Sequence, residues 1–269
     1  MKKIGFCFLW SVVLLFVCVA FGRVTVDRAA AEDDLPDQAQ LSADRMLFEA
    51  DSGDFSASGN VVIQADGVTF HALRGTGNVK NKEVHFSDGI TASGEWRGDK
   101  LDLSAGKVSF FFGQTPTYVA EDMVKGVLGK LYLEVEKLYM KGADISALKV
   151  HRFEDRELNI AMGAESVRGV VEGGVLTTFT AEGNVWLNGQ PNAAGGTVNI
   201  KGDRAVYSVE RGSVVMSGNV RAAQQGRTLT ADSLVYFPGN NRIDAYGGSD
   251  GGPASITIDL NREKREGSR

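Results

Sequence analysis

The chain has 269 residues, 43% hydrophobic and 23% charged, with a formal net charge of −5. That balance excludes wholesale disorder, and an acidic surface is a poor match for nucleic acid. Two cysteines are too few for a disulfide framework or a four-thiolate zinc site, and 33 glycines beside 5 prolines point to many tight turns rather than collagen.

Lys2 and Lys3 precede an apolar run from Ile4 to Phe21. A short basic region followed by an apolar core reads as an export signal, with an uncleaved membrane anchor as the alternative. Cleavage fits after Ala20 or after Ala31, and the acidic start Glu32-Asp33-Asp34 favours Ala31. Residues 1–31 are therefore expected to be a signal peptide or an anchor. Cys18 does not make a lipoprotein site, because Leu15-Phe16-Val17 lacks small residues. Both cysteines, Cys7 and Cys18, lie in this segment, so a chain cut after Ala31 carries no thiol. It also loses four basic residues and one acidic residue, which takes the net charge from −5 to −8.

From Leu41 onward short alternating segments are broken by Gly, Asn and Asp, as in Asn60-Val61-Val62-Ile63-Gln64 and Ala205-Val206-Tyr207-Ser208-Val209. Alternation at period two predicts many short strands. Val119–Met140 is the best helical candidate, yet it contains Gly126 and Gly129, and Leu131 to Glu136 alternates like a strand. A short helix is expected at most near Ala120–Val127.

The pattern repeats. Asp44, Asp203 and Asp232 are each followed fifteen residues later by a glycine, Gly59, Gly218 and Gly247. A copy from Glu165 to Gly183 has three extra residues, and a partial copy starts at Asp99. Counting from the Asp, even steps within each strand carry apolar side chains and point to one sheet face. In the first copy these are Met46, Phe48, Phe55, Ala57, Val61 and Ile63. The second has Ala205, Tyr207, Val214, Met216, Val220 and Ala222, and the third Leu234, Tyr236, Ile243 and Ala245. The Glu165 copy gives Phe179, Ala181, Val185 and Leu187, and the partial copy Leu101, Leu103, Phe110 and Phe112. Gln64, Arg204, Ser208, Asn219 and Arg221 fall on the opposite face. Each copy is expected to be a hairpin with one oily and one wet side, its glycines serving the turns. One hairpin cannot bury its face alone, so the copies must stack into facing sheets or a rolled sandwich. Ala254–Leu260 is a last strand, and the polar tail 261–269 is expected to be disordered.

No catalytic or metal constellation appears. His71, His85 and His151 lack metal-binding spacing, no Gly-x-Ser-x-Gly elbow exists, and the glycine runs precede strands rather than helices. The chain is read as no enzyme, with no cofactor and no metal. Acidic pairs such as Asp51 and Asp54 read as solvated turns.

Ala43-Asp44 with Phe48 and Ser58-Gly59-Asn60-Val61 resembles the OstA-like family of periplasmic lipopolysaccharide-transport proteins, which embraces LptA, LptC and the N-terminal part of LptD. Gly202-Asp203 with Tyr207 and Ser217-Gly218-Asn219-Val220, and Ala231-Asp232 with Tyr236, carry the same likeness. It covers roughly residues 41 to 250 and is weak over 105–160. The resemblance implies an all-β, open twisted β-jelly roll of repeated antiparallel hairpins over 41–260, divisible into two repeat blocks, 41–115 and 160–260. It implies an apolar interior for the acyl chains of lipopolysaccharide. The lining would be Met46, Phe48, Phe55, Val61, Ile63, Phe179, Val185, Leu187, Tyr207, Met216, Leu234 and Tyr236. For each of these, plain core packing is the competing reading. Implied partners are lipopolysaccharide and other transport proteins or further copies, joined by strand addition at sheet edges. Arg45, Arg204 or Arg221 would meet lipid phosphates if they did more than face water. The implied place is the periplasm, or the inner membrane if the first segment is an LptC-like anchor. Two other readings compete: an exported polysaccharide-binding protein or enzyme of parallel β-helix type, and a polymerising scaffold without lipid.

Overall fold

The computed structural model describes residues 40–258 apart from 66, 97–98, 112–114, 116, 173–174, 190–195, 209 and 248–251. Residues 1–31, expected to be a signal peptide or an anchor, Phe112 and the tail 261–269 lie outside the described residues. Sixteen strands form: β1 Gln40–Ser42, β2 Arg45–Phe48, β3 Asp54–Ala65, β4 Val68–Asn78, β5 Glu83–Trp96 and β6 Asp99–Phe111. They continue with β7 Thr117–Leu128, β8 Leu131–Lys141, β9 Asp144–Asp155, β10 Ile160–Glu172 and β11 Val175–Gly189. The last are β12 Val198–Ser208, β13 Ser213–Gln224, β14 Arg227–Phe237, β15 Arg242–Tyr246 and β16 Ser255–Ile258. No helix occurs among the described residues, so none there is long and apolar enough to cross a membrane.

Two compact units divide the chain. The first holds the described residues up to Ala147 together with Val170–Leu176; the second holds Leu148–Gly169 and the described residues from Thr177 on. Within the first unit, hydrogen-bonded neighbours follow chain order from β3 to β8, with β1 and β2 both on β3. Within the second, β11 to β15 follow the same rule, and β16 joins β15 on β14. The fold is all-β, antiparallel and open. The antiparallel pairing overturns the parallel β-helix alternative.

Three of the repeat copies are the expected hairpins. Phe48 pairs with Phe55, Tyr207 with Val214 and Tyr236 with Ile243. One step further in, Met46 pairs with Ala57, Ala205 with Met216 and Leu234 with Ala245. The partial copy differs: Leu101, Leu103 and Phe110 all lie on the single strand β6, so no hairpin forms there. The expected short helix at Ala120–Val127 is also absent. That stretch is strand β7, where Asp122 and Met123 take positive φ of 63° and 61° and interrupt the alternation.

Three of the four motif glycines do not turn the chain between strands, the role expected of them, but bend it within them, while Gly247 follows the end of β15. Gly59-Asn60 in β3, Gly183-Asn184 in β11 and Gly218-Asn219 in β13 are adjacent left-handed residues, with glycine φ of 72°, 78° and 75°. Each sits at a register shift that puts one extra residue into its strand. Asp88-Gly89 in β5 and Asp122-Met123 in β7 do the same. Such a bulge bends the strand and sharpens its twist. The alternate strands answer by changing parity. In β4 the inward set is Val68, Phe70, Ala72 and then Gly75, with Leu73 and Arg74 both exposed. In β12 it is Val198, Ile200, Gly202 and then Ala205, with Asp203 and Arg204 exposed. The bend thus runs across neighbouring strands while the apolar side stays inward on both arms.

Candidate lipid-binding face

The repeat acid and the repeat Gly-Asn build the bend together. Asn60 Nδ2 donates to Asp44 Oδ2 at 3.0 Å, Asn219 Nδ2 to Asp203 Oδ2 at 2.8 Å, and Asn184 Nδ2 to Glu165 Oε1 at 3.3 Å. Glycine is required beside these carboxylates. A Cβ at Gly59 would stand 2.4 Å from Asp44 Oδ2, and one at Gly218 2.5 Å from Asp203 Oδ2. The outer surface of the bend carries ion pairs: Arg74 with Asp88 at 3.3 Å, Lys107 with Asp122 at 2.9 Å, Lys137 with Glu121 at 2.6 Å and Arg204 with Glu182 at 3.6 Å. The hydrogen bond to Asp122, and then its charge, raise the Lys107 pKa above the ordinary lysine value. These ion pairs are all solvent-exposed, on the outside of the bend.

In the second unit the inward face has two arms. On one side of the bulges lie Phe179 and Ala181 of β11, Ala205 and Tyr207 of β12, Val214 and Met216 of β13, and Leu234 and Tyr236 of β14, joined by cross-strand pairs. On the other side lie Val185 and Leu187, Gly202 and Ile200, and Val220 and Ala222. The expected residues Phe179, Val185, Leu187, Met216, Leu234 and Tyr236 are all buried on this face, the last two and Met216 with no exposed surface. Tyr207 is half-buried and stacks on Phe179, ring centroids 5.2 Å apart. Burial alone raises the Tyr236 pKa.

In the first unit Val61 and Ile63 are buried and Phe55 is half-buried on β3. Met46 and Phe48 are placed differently. They stand on β2 beside β3 and are 55% and 60% exposed. The face also includes Phe110, expected from the partial copy, and three rings the repeat did not reveal: Phe70, Phe86 and Tyr118. Phe70 and Phe86 lie on opposite sides of the bend, yet their rings meet edge to face at 5.0 Å. The apolar surfaces of the two arms therefore close on each other. What could have exposed these rings in the sequence is the pair of consecutive outward residues in each alternate strand, such as Leu73-Arg74, between two inward sets.

Among the described residues β2 and β16 are outer strands, each paired on one side, with β3 and β14. β2 presents Met46, Leu47 and Phe48, all exposed, and β16 presents Ile256 and Ile258, 60% and 44% exposed. Of the basic candidates, Arg204 pairs with Glu182, while Arg45 and Arg221 are exposed. His85 Nδ1 is 2.9 Å from Ser109 Oγ and its ring meets Phe111 at 5.5 Å, a surface arrangement. His71 and His151 are exposed. No group of three or more His, Cys, Asp or Glu is placed to hold a metal among the described residues.

Comparison with known proteins agrees with the motif. Residues 39–242 match the family model described as LptA/(LptD N-terminal domain) LPS transport protein. No curated protein matches the chain. Among solved structures the chain is similar to LptH, the LptA homologous periplasmic component of the conserved lipopolysaccharide transport device from Pseudomonas aeruginosa. That likeness has 11% identity and covers 82% of this chain and 95% of the other, with a TM-score of 0.24. A superposition that loose carries no weight, whereas the family model spans most of the chain: the protein belongs to the LptA/LptD N-terminal family of lipopolysaccharide-transport proteins.

Proposed function

We propose that this chain is a periplasmic carrier that holds the acyl chains of lipopolysaccharide against its inward apolar face and passes the lipid toward the outer membrane. The observation that carries this reading is the apolar lining that continues unbroken across each bend, with charge held outside. No bond chemistry is needed. Each acyl methylene withdrawn from water contributes about 0.8 kcal/mol, so several chains are held strongly without specific polar contacts. Met46 and Phe48, exposed on β2, together with Ile256 and Ile258 on β16, support a second role for the edges. There the chain joins another copy or another transport protein by strand addition. The lining in this reading is Phe55, Val61, Ile63, Phe179, Val185, Leu187, Tyr207, Met216, Leu234 and Tyr236, while Met46 and Phe48 serve the junction. Directed movement draws its energy from elsewhere, because sliding between equivalent apolar sites is downhill in neither direction.

The test is retention. The full chain is incubated with lipopolysaccharide and passed over a sizing column. Lipid that co-elutes with the protein, and is lost when Met216 and Leu234 are both changed to Asp, supports the reading. Lipid that never co-elutes with the folded wild-type chain overturns it.

A further inference from the structure

One outward row of the second unit stands apart from the rest. Lys201 of β12 lies directly opposite Arg221 of β13, and both are exposed. Like charges facing each other across a strand pair cost stability. Other outward basic residues stand against carboxylates, as Lys107 does with Asp122 and Arg204 with Glu182. Neither Lys201 nor Arg221 has an ion pair among the described residues. Asp203, two residues along β12, accepts from Asn219 instead. From Arg221 the row continues through Thr230 to Ser255 on β16, the two hydroxyl oxygens 2.8 Å apart. A path of neutral side chains thus runs from the β16 edge to two unmatched cations.

The chain carries the opposite charge just ahead of β1. Residues 32–39 include Glu32, Asp33, Asp34 and Asp37 and no basic residue. The first and last edges are also split in the same way. β2 and β1 lie along the two halves of β3, on either side of its bulge, as β15 and β16 lie along the two halves of β14. A second copy that adds its first edge to this last edge, half against half and antiparallel, sets its β1 beside β16, with its Gln40 at the Ile258 end. The acidic residues before Gln40 then enter beside the outward row. Strands lie about 4.8 Å apart, which puts Arg221 about 14 Å and Lys201 about 19 Å from that β1. Eight extended residues reach about 26 Å. We propose that Lys201 and Arg221 dock the acidic segment 32–37 of a second copy joined at β16. The cation pair then sets the polarity of joining, because the acidic segment reaches it only when a first edge meets a last edge. The proposal rests on the edge-joining reading above.

Sedimentation velocity of the full chain at low salt reads the dissociation constant for joining. Lys201→Gln with Arg221→Gln should weaken joining at least threefold. Asp33→Asn, Asp34→Asn and Asp37→Asn together should weaken it as much. All five changes combined should weaken it no further than either set alone, because both sets remove the same contacts. In about 0.3 M salt the differences should shrink, since exposed charges are screened. Circular dichroism identical to wild type shows that each variant is folded. If wild type associates and neither charge set changes the constant, the docking is wrong and the joining reading stands. Losses that simply add in the combined variant contradict the docking as well. A wild-type chain that stays monomeric at every concentration overturns the joining reading, and the docking with it.

Discussion

Asn219 donates a 2.8 Å hydrogen bond to Asp203, sixteen residues earlier and on the neighbouring strand. The bond spans the bulge at Gly218-Asn219 and ties the bend of β13 to β12. It also explains why the repeat keeps an acid fifteen residues before its glycine: the glycine must pass the carboxylate and the asparagine must reach it. Asp44 with Asn60 repeats the arrangement in the first unit.

Asp203→Ala should lower stability by about 1 kcal/mol, the usual net worth of one hydrogen bond. Gly218→Ala should cost more, about 1–3 kcal/mol, because it adds left-handed strain to a clash with the carboxylate. Urea unfolding of both variants and the double variant checks this. The double variant should be less destabilised than the sum of the two, since removing Asp203 frees the space the new methyl needs.

Burial and edge exposure separate two kinds of apolar residue. Leu234→Ala should cost about 2–5 kcal/mol by leaving a cavity among fully buried neighbours. Phe48→Ser should change stability by no more than about 0.5 kcal/mol, because the ring already faces water. It should instead weaken self-association, read by sedimentation velocity. Unfolding of the Phe48 variant with no effect on association would assign β2 to the core rather than to a junction.

The buried phenol of Tyr236 makes a pH prediction. Burial disfavours the phenolate, so the folded pKa lies above the unfolded value. The neutral form's stability is fully present below the unfolded tyrosine pKa and is lost as pH rises through the folded one. Absorbance at 295 nm should show a late-ionising tyrosine component that Tyr236→Phe removes, and a component unchanged by that substitution would contradict it.

Much of the hairpin register was legible from spacing alone. The pairs Phe48 with Phe55, Tyr207 with Val214 and Tyr236 with Ile243 follow from apolar alternation on either side of a short turn. The middle of the chain was not legible, for a local physical reason. In β7 the left-handed pair Asp122-Met123 breaks the alternation, leaving Ala120 and Val124 four residues apart, a spacing that imitates a helix face. In β6 and β8 the parity change at Gly106-Lys107 and Glu136-Lys137 shortens each alternating run to a few residues. The motif glycines misled in the same way, because a glycine serving a bulge and one serving a turn look alike in a sequence. The Tyr236 ring, on β14, fills the space where a side chain at Gly189, on β11, would stand, and that approach had no sequence signal at all, since the two strands are not paired.

In the proposed carrier the inward face touches lipid and the outer face does not. Photoreactive residues placed at Phe179 and Tyr207, facing inward, and at Arg221, facing outward, test it in cells making lipopolysaccharide. Adducts of lipopolysaccharide at 179 and 207 and none at 221 are the expected result. Adducts at 221 alone, or at no position in a folded and exported chain, would contradict it.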